Sequence, residues 1–170
     1  MHRLALILLL FLSANGFSRN IIVGKNQPVS SIRKAIEIAK DFDSITVLPG
    51  VYKEGALQLT KSLTIIGQNY PILDGENKYE ILLISGQNIT VTGLAFRNSG
   101  YSALNDYASI KLVDASKVTI AANKITNAYF AIHVSNTSYA TIKNNNITGT
   151  PTSEQLTGNG IHLWKSRYAL

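Results

Sequence analysis

The chain has no cysteine. That absence removes disulfides, thiolate metal centres and a lipoprotein anchor together. Acids are few, and Asp74, Asp106, Asp114 and Glu154 form no aligned pair of the kind that glycoside hydrolysis uses. A calcium-dependent polysaccharide lyase would need clustered acids beside an Arg base. On the repeat alignment given below, Arg97 lies near none of the acids. No phosphate loop, H-E-x-x-H or Ser-His-Asp order is present. The formal charge is +6, falling to about +5 if Arg3 leaves with a leader peptide. The cations are scattered and form no run, so no nucleic-acid partner is expected.

Long apolar runs are also missing. Leu4–Leu12 follows the basic His2-Arg3 pair and is followed by the small residues Ser13-Ala14-Asn15-Gly16. A helix of that length covers about 14 Å, roughly half a bilayer core. The stretch is expected to be a signal peptide, residues 1–16, with cleavage after Gly16, or after Ser18 as the alternative. The mature part, 17–170, is then one domain working outside the cytoplasm, in a periplasm, and not itself membrane-spanning.

What the sequence does have is repetition. KVTIAANKITN (from Lys117) and YATIKNNNITG (from Tyr139) are the same pattern written twice, with Thr119 and Thr141 in the same place. Asn88-Ile-Thr-Val-Thr-Gly and Ser62-Leu-Thr-Ile-Ile-Gly are earlier copies, which puts Thr64, Thr90, Thr119 and Thr141 in one column. A second column runs through Ile81-Leu-Leu, Ile110-Lys-Leu, Ile132-His-Val and Ile161-His-Leu, each read in-out-in. Short β segments recurring every twenty-odd residues and joined by Asn/Gly corners predict a right-handed parallel β-helix, all-β, of about four coils plus the start of a fifth. Gly67, Gly93, Ala122 and Asn144 are the expected corner column, and Asn98 and Asn127 an expected amide ladder. Ser30 is the expected N-cap of one amphipathic helix over 29–41 that lids the first coil. Pro71-Ile-Leu-Asp-Gly reads as a turn. The fifth coil delivers one strand and no cap, which predicts a C-terminally truncated solenoid.

Two long insertions, 99–109 and 150–160, leave from the same corner. Tyr101, Asp106 and Tyr107 on one and Glu154 on the other are the candidate binding-loop residues. His133 and His162 share one column in adjacent coils and point outward. Rungs about 5 Å apart would bring both imidazoles within reach of one copper or zinc ion. Lys111 on the preceding rung would oppose a cation, and two ligands are too few for a closed zinc site. No catalytic residue is assigned.

Several blocks carry a family resemblance. The helix with SITVLPGVYKE resembles the opening of pectin-lyase-like β-helices. Together with SLTIIGQN, PILDG, NITVTGLAFRNSG, VTIAANKIT, TIKNNNITGT and above all GNGIHLWKS, it is similar to the NosD family, periplasmic β-helix maturation proteins of nitrous oxide reductase, over about residues 25–166. The resemblance implies a non-enzymatic accessory factor that works with an ABC transporter, permease and ATPase, to assemble the reductase's copper-sulfur centre, with copper as the implied ion. It implies no established ligand residue here. The alternative is a carbohydrate-binding or polysaccharide-cleaving β-helix.

Overall fold

The structure, a computed structural model, describes residues 18–102, 104–149 and 158–170. The expected signal peptide and Glu154 lie outside the described residues. In chain order come β1 (Asn20–Val23), α1 (Ile32–Ile38), β2 (Ser44–Val47), β3 (Val51–Tyr52) and β4 (Leu57–Leu59). Next are β5 (Thr64–Gly67), β6 (Ile72–Asp74), β7 (Leu82–Ile84), β8 (Gln87–Thr92), β9 (Ala95–Arg97) and β10 (Ala108–Val113). The series closes with β11 (Ser116–Ala121), β12 (Lys124–Thr126), β13 (Phe130–Ser135), β14 (Thr141–Lys143), β15 (Asn146–Thr148) and β16 (Ile161–Trp164). Each coil from β2 onward gives one strand to each of three parallel sheets. The first sheet runs β1-β2-β5-β8-β11-β14, the second β3-β6-β9-β12-β15 and the third β4-β7-β10-β13-β16. This is the β-solenoid that the repeats predict.

The threonine column is in register: Thr64 pairs with Thr90, Thr90 with Thr119, and Thr119 with Thr141. Between the threonines, Ile65, Val91 and Ile120 point inward and are buried. Ile, Val and Leu suit this role because β-branched and apolar side chains fill a pleated, fully enclosed face. Each such side chain contributes about 1.5–3 kcal/mol relative to leaving it in water. A single coil encloses nothing, so this stabilisation arises only between neighbours.

The third sheet differs from the alignment by one residue. Lys111 pairs with Leu83, not Leu82, and Leu82 and Ile84 are the inward pair. An apolar run, Ile81-Leu-Leu-Ile84, carries no alternation to fix its phase, and a one-residue slip turns every side chain over. Pro71-Ile-Leu-Asp-Gly is not only a turn: its middle is β6, which pairs with β9 so that Asp74 faces Arg97. The flanking Pro and Gly hide a three-residue strand.

At the base, α1 packs on β1, β2 and β4 and buries Ile32, Ala35 and Ile36, with Ala39 beside them. Its N-cap is Ser31, not Ser30: the Ser31 side chain accepts from the Lys34 amide. The Glu54 carboxylate accepts from Ser31 Oγ and from the amides of Ile32 and Arg33, each at 2.8 Å. At the other end Lys61 Nζ donates to the carbonyls of Ile36, Glu37 and Ala39. Opposite charges thus sit at the two poles of the helix, where its exposed amides and carbonyls favour them.

At the opposite end Ile161 is 43% exposed although its alternation places it inward, because no described rung lies over β16. Of the expected corner column, Gly93, Ala122 and Asn144 have left-handed backbones with φ of 71°, 53° and 55°. Gly67 does not; it ends β5. It is needed for space, since a Cβ there would run into the Gly93 carbonyl oxygen.

Candidate metal centre

The outer face of the third sheet carries Gln58, Leu83, Lys111, His133 and His162 in one file, each in register with the next. Inward Ile110, Ile132, Leu112 and Val134 anchor the backbone beneath them and hold the file straight. His133 Nδ1 and His162 Nδ1 are 3.1 Å apart, with ring centroids at 4.9 Å. At that distance one neutral ring donates its Nδ1–H and the other accepts through a lone pair. Neutral imidazoles are also the form that binds metal ions. Burial pushes the His133 imidazole below its ordinary value; Asp106 opposes that shift, while His162 and Lys111 add to it.

His133 points away from the bore as the alternation predicts, but it is not exposed to water: it is only 4% exposed. Its cover is aromatic. Phe130 stacks on His162 at 5.1 Å and 20° and tilts against His133 at 5.5 Å. Tyr129 meets Phe130 edge-on at 4.7 Å, and Tyr101 meets Tyr129 at 5.0 Å. The signal available in the sequence was Tyr129-Phe130 at the opening of the histidine strand.

Lys111 does not stand alone as a cation facing the histidines. Its Nζ lies 3.3 Å from Glu80 Oε2, and the two side chains are 19% and 13% exposed. The approach suits charge attraction; among the described residues Glu80 Oε2 and the buried Ser109 Oγ have no hydrogen-bond partner of standard geometry. Burial pushes the Glu80 carboxyl up, against the pull of Lys111. Glu80, Ser109, Tyr129 and Phe130 are the residues of this face that sequence reasoning missed.

The loop candidates divide. Tyr101 is exposed and joins the aromatic row. Asp106 is exposed, and its charge acts on His133. Tyr107 is half-buried and pins the loop, its carbonyl accepting from the Phe130 amide. Among the described residues no three His, Asp or Glu side chains gather as a metal site, so the donor set here is the two imidazoles. Paired imidazoles suit copper, zinc or a related soft or borderline ion.

Asn98 and Asn127 lie elsewhere, at the end of the second sheet. Asn127 Nδ2 donates to Asn98 Oδ1 at 2.8 Å, and Asn98 Nδ2 donates to Asp74 Oδ1 at 3.0 Å. The same carboxylate takes Arg97 Nε on Oδ2 at 2.8 Å. Arg97 is therefore beside an acid, contrary to the expectation from the alignment. Burial pushes the Asp74 carboxyl up, but the Glu76 amide, Asn98 and Arg97 outweigh it and hold it low. This cluster is satisfied internally and structural. A second, buried amide ladder was not foreseen. Asn123 donates to the Val91 carbonyl and accepts from the Leu94 amide; Asn145 accepts from Asn123 and donates to the Ile120 carbonyl.

At the corner beyond β13 and β16, a cavity of about 640 Å3 is lined by Asn136, Thr137, Ser138, Lys165, Ser166 and Arg167. Tyr139 and Tyr168 stack beside it at 4.9 Å and 9°. No helix among the described residues is long and apolar enough to cross a membrane.

The family described as "Right handed beta helix region" matches residues 60–169. No curated protein and no solved structure is significantly similar to the chain. With most of its length covered by that match, and its strands stacked in three parallel sheets, the chain belongs to the right-handed β-helix family.

Proposed function

We propose that the chain is a non-enzymatic accessory β-helix for assembly of a copper centre, acting outside the cytoplasm with an ABC transporter and with nitrous oxide reductase as its client. The partners rest on the resemblance of the GNGIHLWKS block and its neighbours to the NosD family. The local chemistry rests on one observation: His133 and His162 are in register with Nδ1 atoms 3.1 Å apart. With the shared proton moved to the far nitrogen of its ring, both Nδ1 lone pairs can face one ion, and copper fits a soft-to-borderline imidazole pair. Two donors leave the remaining positions open, as a carrier that must release its ion requires. The elongated solenoid offers long parallel faces for the two protein partners.

Copper titration of the mature chain tests the reading, with His133→Ala and His162→Ala as controls. Binding near one equivalent that either substitution abolishes is the expected result. Binding unchanged in both variants, or none in the parent chain, overturns it.

A second reading has its own observation. The stacked Tyr139–Tyr168 pair beside a cavity lined by Asn136, Lys165 and Arg167 suits a sugar, above all an acidic one. Retention on, or depolymerisation of, uronate polymers would favour a carbohydrate-directed β-helix; neither outcome is expected under the first reading.

A further inference from the structure

Charge is unevenly placed along the solenoid. Residues 17–115 carry ten cations and nine acids; residues 116–170 carry five cations and one acid, Glu154. Lys117, Lys124, Lys143, Lys165 and Arg167 are all exposed, and among the described residues none of them pairs with a carboxylate. Lys124 lies over the Tyr70 ring. Lys117, Lys165 and Arg167 gather at the corner that links the third sheet to the first, and Lys143 ends the strand that leaves it. Asp114, the acid of this corner, is held by Asn136 Nδ2 at 2.6 Å.

Aromatic side chains stand among these cations. Ser116, Ser138 and Arg167 are bridged in register, which puts the next residues, Lys117, Tyr139 and Tyr168, in one file, each with left-handed backbone. Tyr139, Trp164 and Tyr168 are 55%, 56% and 70% exposed. Lys165 Nζ lies 6.0 Å from the centre of the Trp164 ring, so cation and ring project together. Exposed apolar surface gathered in this way marks an interaction site. Tyr and Trp have an apolar body and a polar tip and settle at the headgroup level of a bilayer, where Lys and Arg meet anionic phosphates. The two tyrosine rings already cover each other at 9°, a pair that can enter a headgroup layer edge-first as it stands. The cavity between the two turns has Lys165 and Arg167 in its wall and room for a phosphate group.

We propose that this corner docks the solenoid on an anionic phospholipid surface, with Trp164 and the Tyr139–Tyr168 pair at headgroup depth and Lys165 and Arg167 on lipid phosphates. The lower coils, nearly neutral and capped by α1, then face away from the bilayer. The proposal goes beyond the metal reading and stands without it.

The test uses the whole mature chain, residues 17–170, so that the apolar segment 4–12 contributes nothing. It is mixed with vesicles of phosphatidylcholine alone and of phosphatidylcholine with about one third phosphatidylglycerol. Sedimentation measures binding, and the fluorescence of Trp164, the single tryptophan, reports its surroundings. Binding to the anionic vesicles alone is expected, with a blue shift, and it should weaken as salt is added. Lys165→Gln with Arg167→Gln should weaken it about twenty-five-fold, since each cation near an anionic surface adds about fivefold. Trp164→Ala should weaken it about fivefold. Lys25→Gln with Lys78→Gln removes the same charge from the lower coils and should change it less than twofold. Cooperative melting of each variant should show that it folds. Equal binding to both vesicles, equal loss in the two double variants, or binding with no shift in fluorescence overturns the proposal. So does a chain that ignores vesicles and is held instead by a soluble uronate polymer or by inorganic phosphate.

Discussion

Ile132 and Ile161 occupy the same position on consecutive rungs, and so do Val134 and Leu163. The lower pair is fully buried; the upper is 43% and 50% exposed. Neither local sequence nor strand geometry accounts for the difference. It comes from what lies above. The base of the solenoid makes the same point from the other side, since there α1 covers β1 and β2 and leaves Val23, Ile45 and Val47 dry. In this architecture a residue's worth is decided by its neighbours along the axis, because backbone pairing and side-chain burial both run rung to rung.

The largest test of that comparison is a pair of truncations. Ile132→Ala should cost about 3 kcal/mol, the range for a large-to-small change in a packed core. Ile161→Ala should cost less than about 1 kcal/mol, since water already reaches that side chain. Urea denaturation of both variants measures the gap. Equal costs would break the comparison.

The two amide ladders sharpen it at smaller scale. Asn123 is 1% exposed and bonds to the rungs on both sides. Asn123→Ala should cost about 2 kcal/mol, because it leaves the Leu94 amide and Val91 carbonyl buried without partners. Asn127 is exposed at its corner, and Asn127→Ala should cost about 0.5 kcal/mol. Thermal melts read at matched pH would separate the two.

The narrowest effect, confined to acid pH, concerns the capped base. Asp43 accepts from the amides of Lys40 and Arg19 and from the Arg19 guanidinium. Those amide bonds, with the guanidinium and against burial, hold its carboxyl down to about 2. Its folded value is therefore below the unfolded one. The contribution is whole above about pH 4 and is lost as pH falls toward 2. Asp43→Asn should flatten the fall in stability over that window, with parent and variant compared by urea midpoint at successive pH values. An unchanged slope would assign acid sensitivity to other groups.

The fold was legible because threonine and isoleucine recur with their phase intact: Thr64, Thr90, Thr119 and Thr141 could be aligned by eye and are neighbours in space. Legibility failed where the pattern lost its alternation or its length. Ile81-Leu-Leu-Ile84 has no polar residue to set its phase, and β6 is framed by the residues that usually announce a turn. The Asp74–Arg97 contact was lost with β6. At the site, register could be read from sequence, so His133 and His162 were found. Burial could not, because the cover over His133 comes from Phe130 and from residues distant in the chain. The compensation of Lys111 by Glu80 was hidden for the same reason: it crosses a coil.

The histidine pair has one donor on β13 and the other on β16. Neither strand holds the site alone, so it exists only while one rung is seated on the other. Any ion gripped by both rings would staple the β16 turn to the one beneath, and its binding free energy would add to the seating of that turn. Ion binding and opening of the β16 rung would then be two readings of one equilibrium, and slowed amide exchange along β16 would report an ion held by both rings without any need to see it.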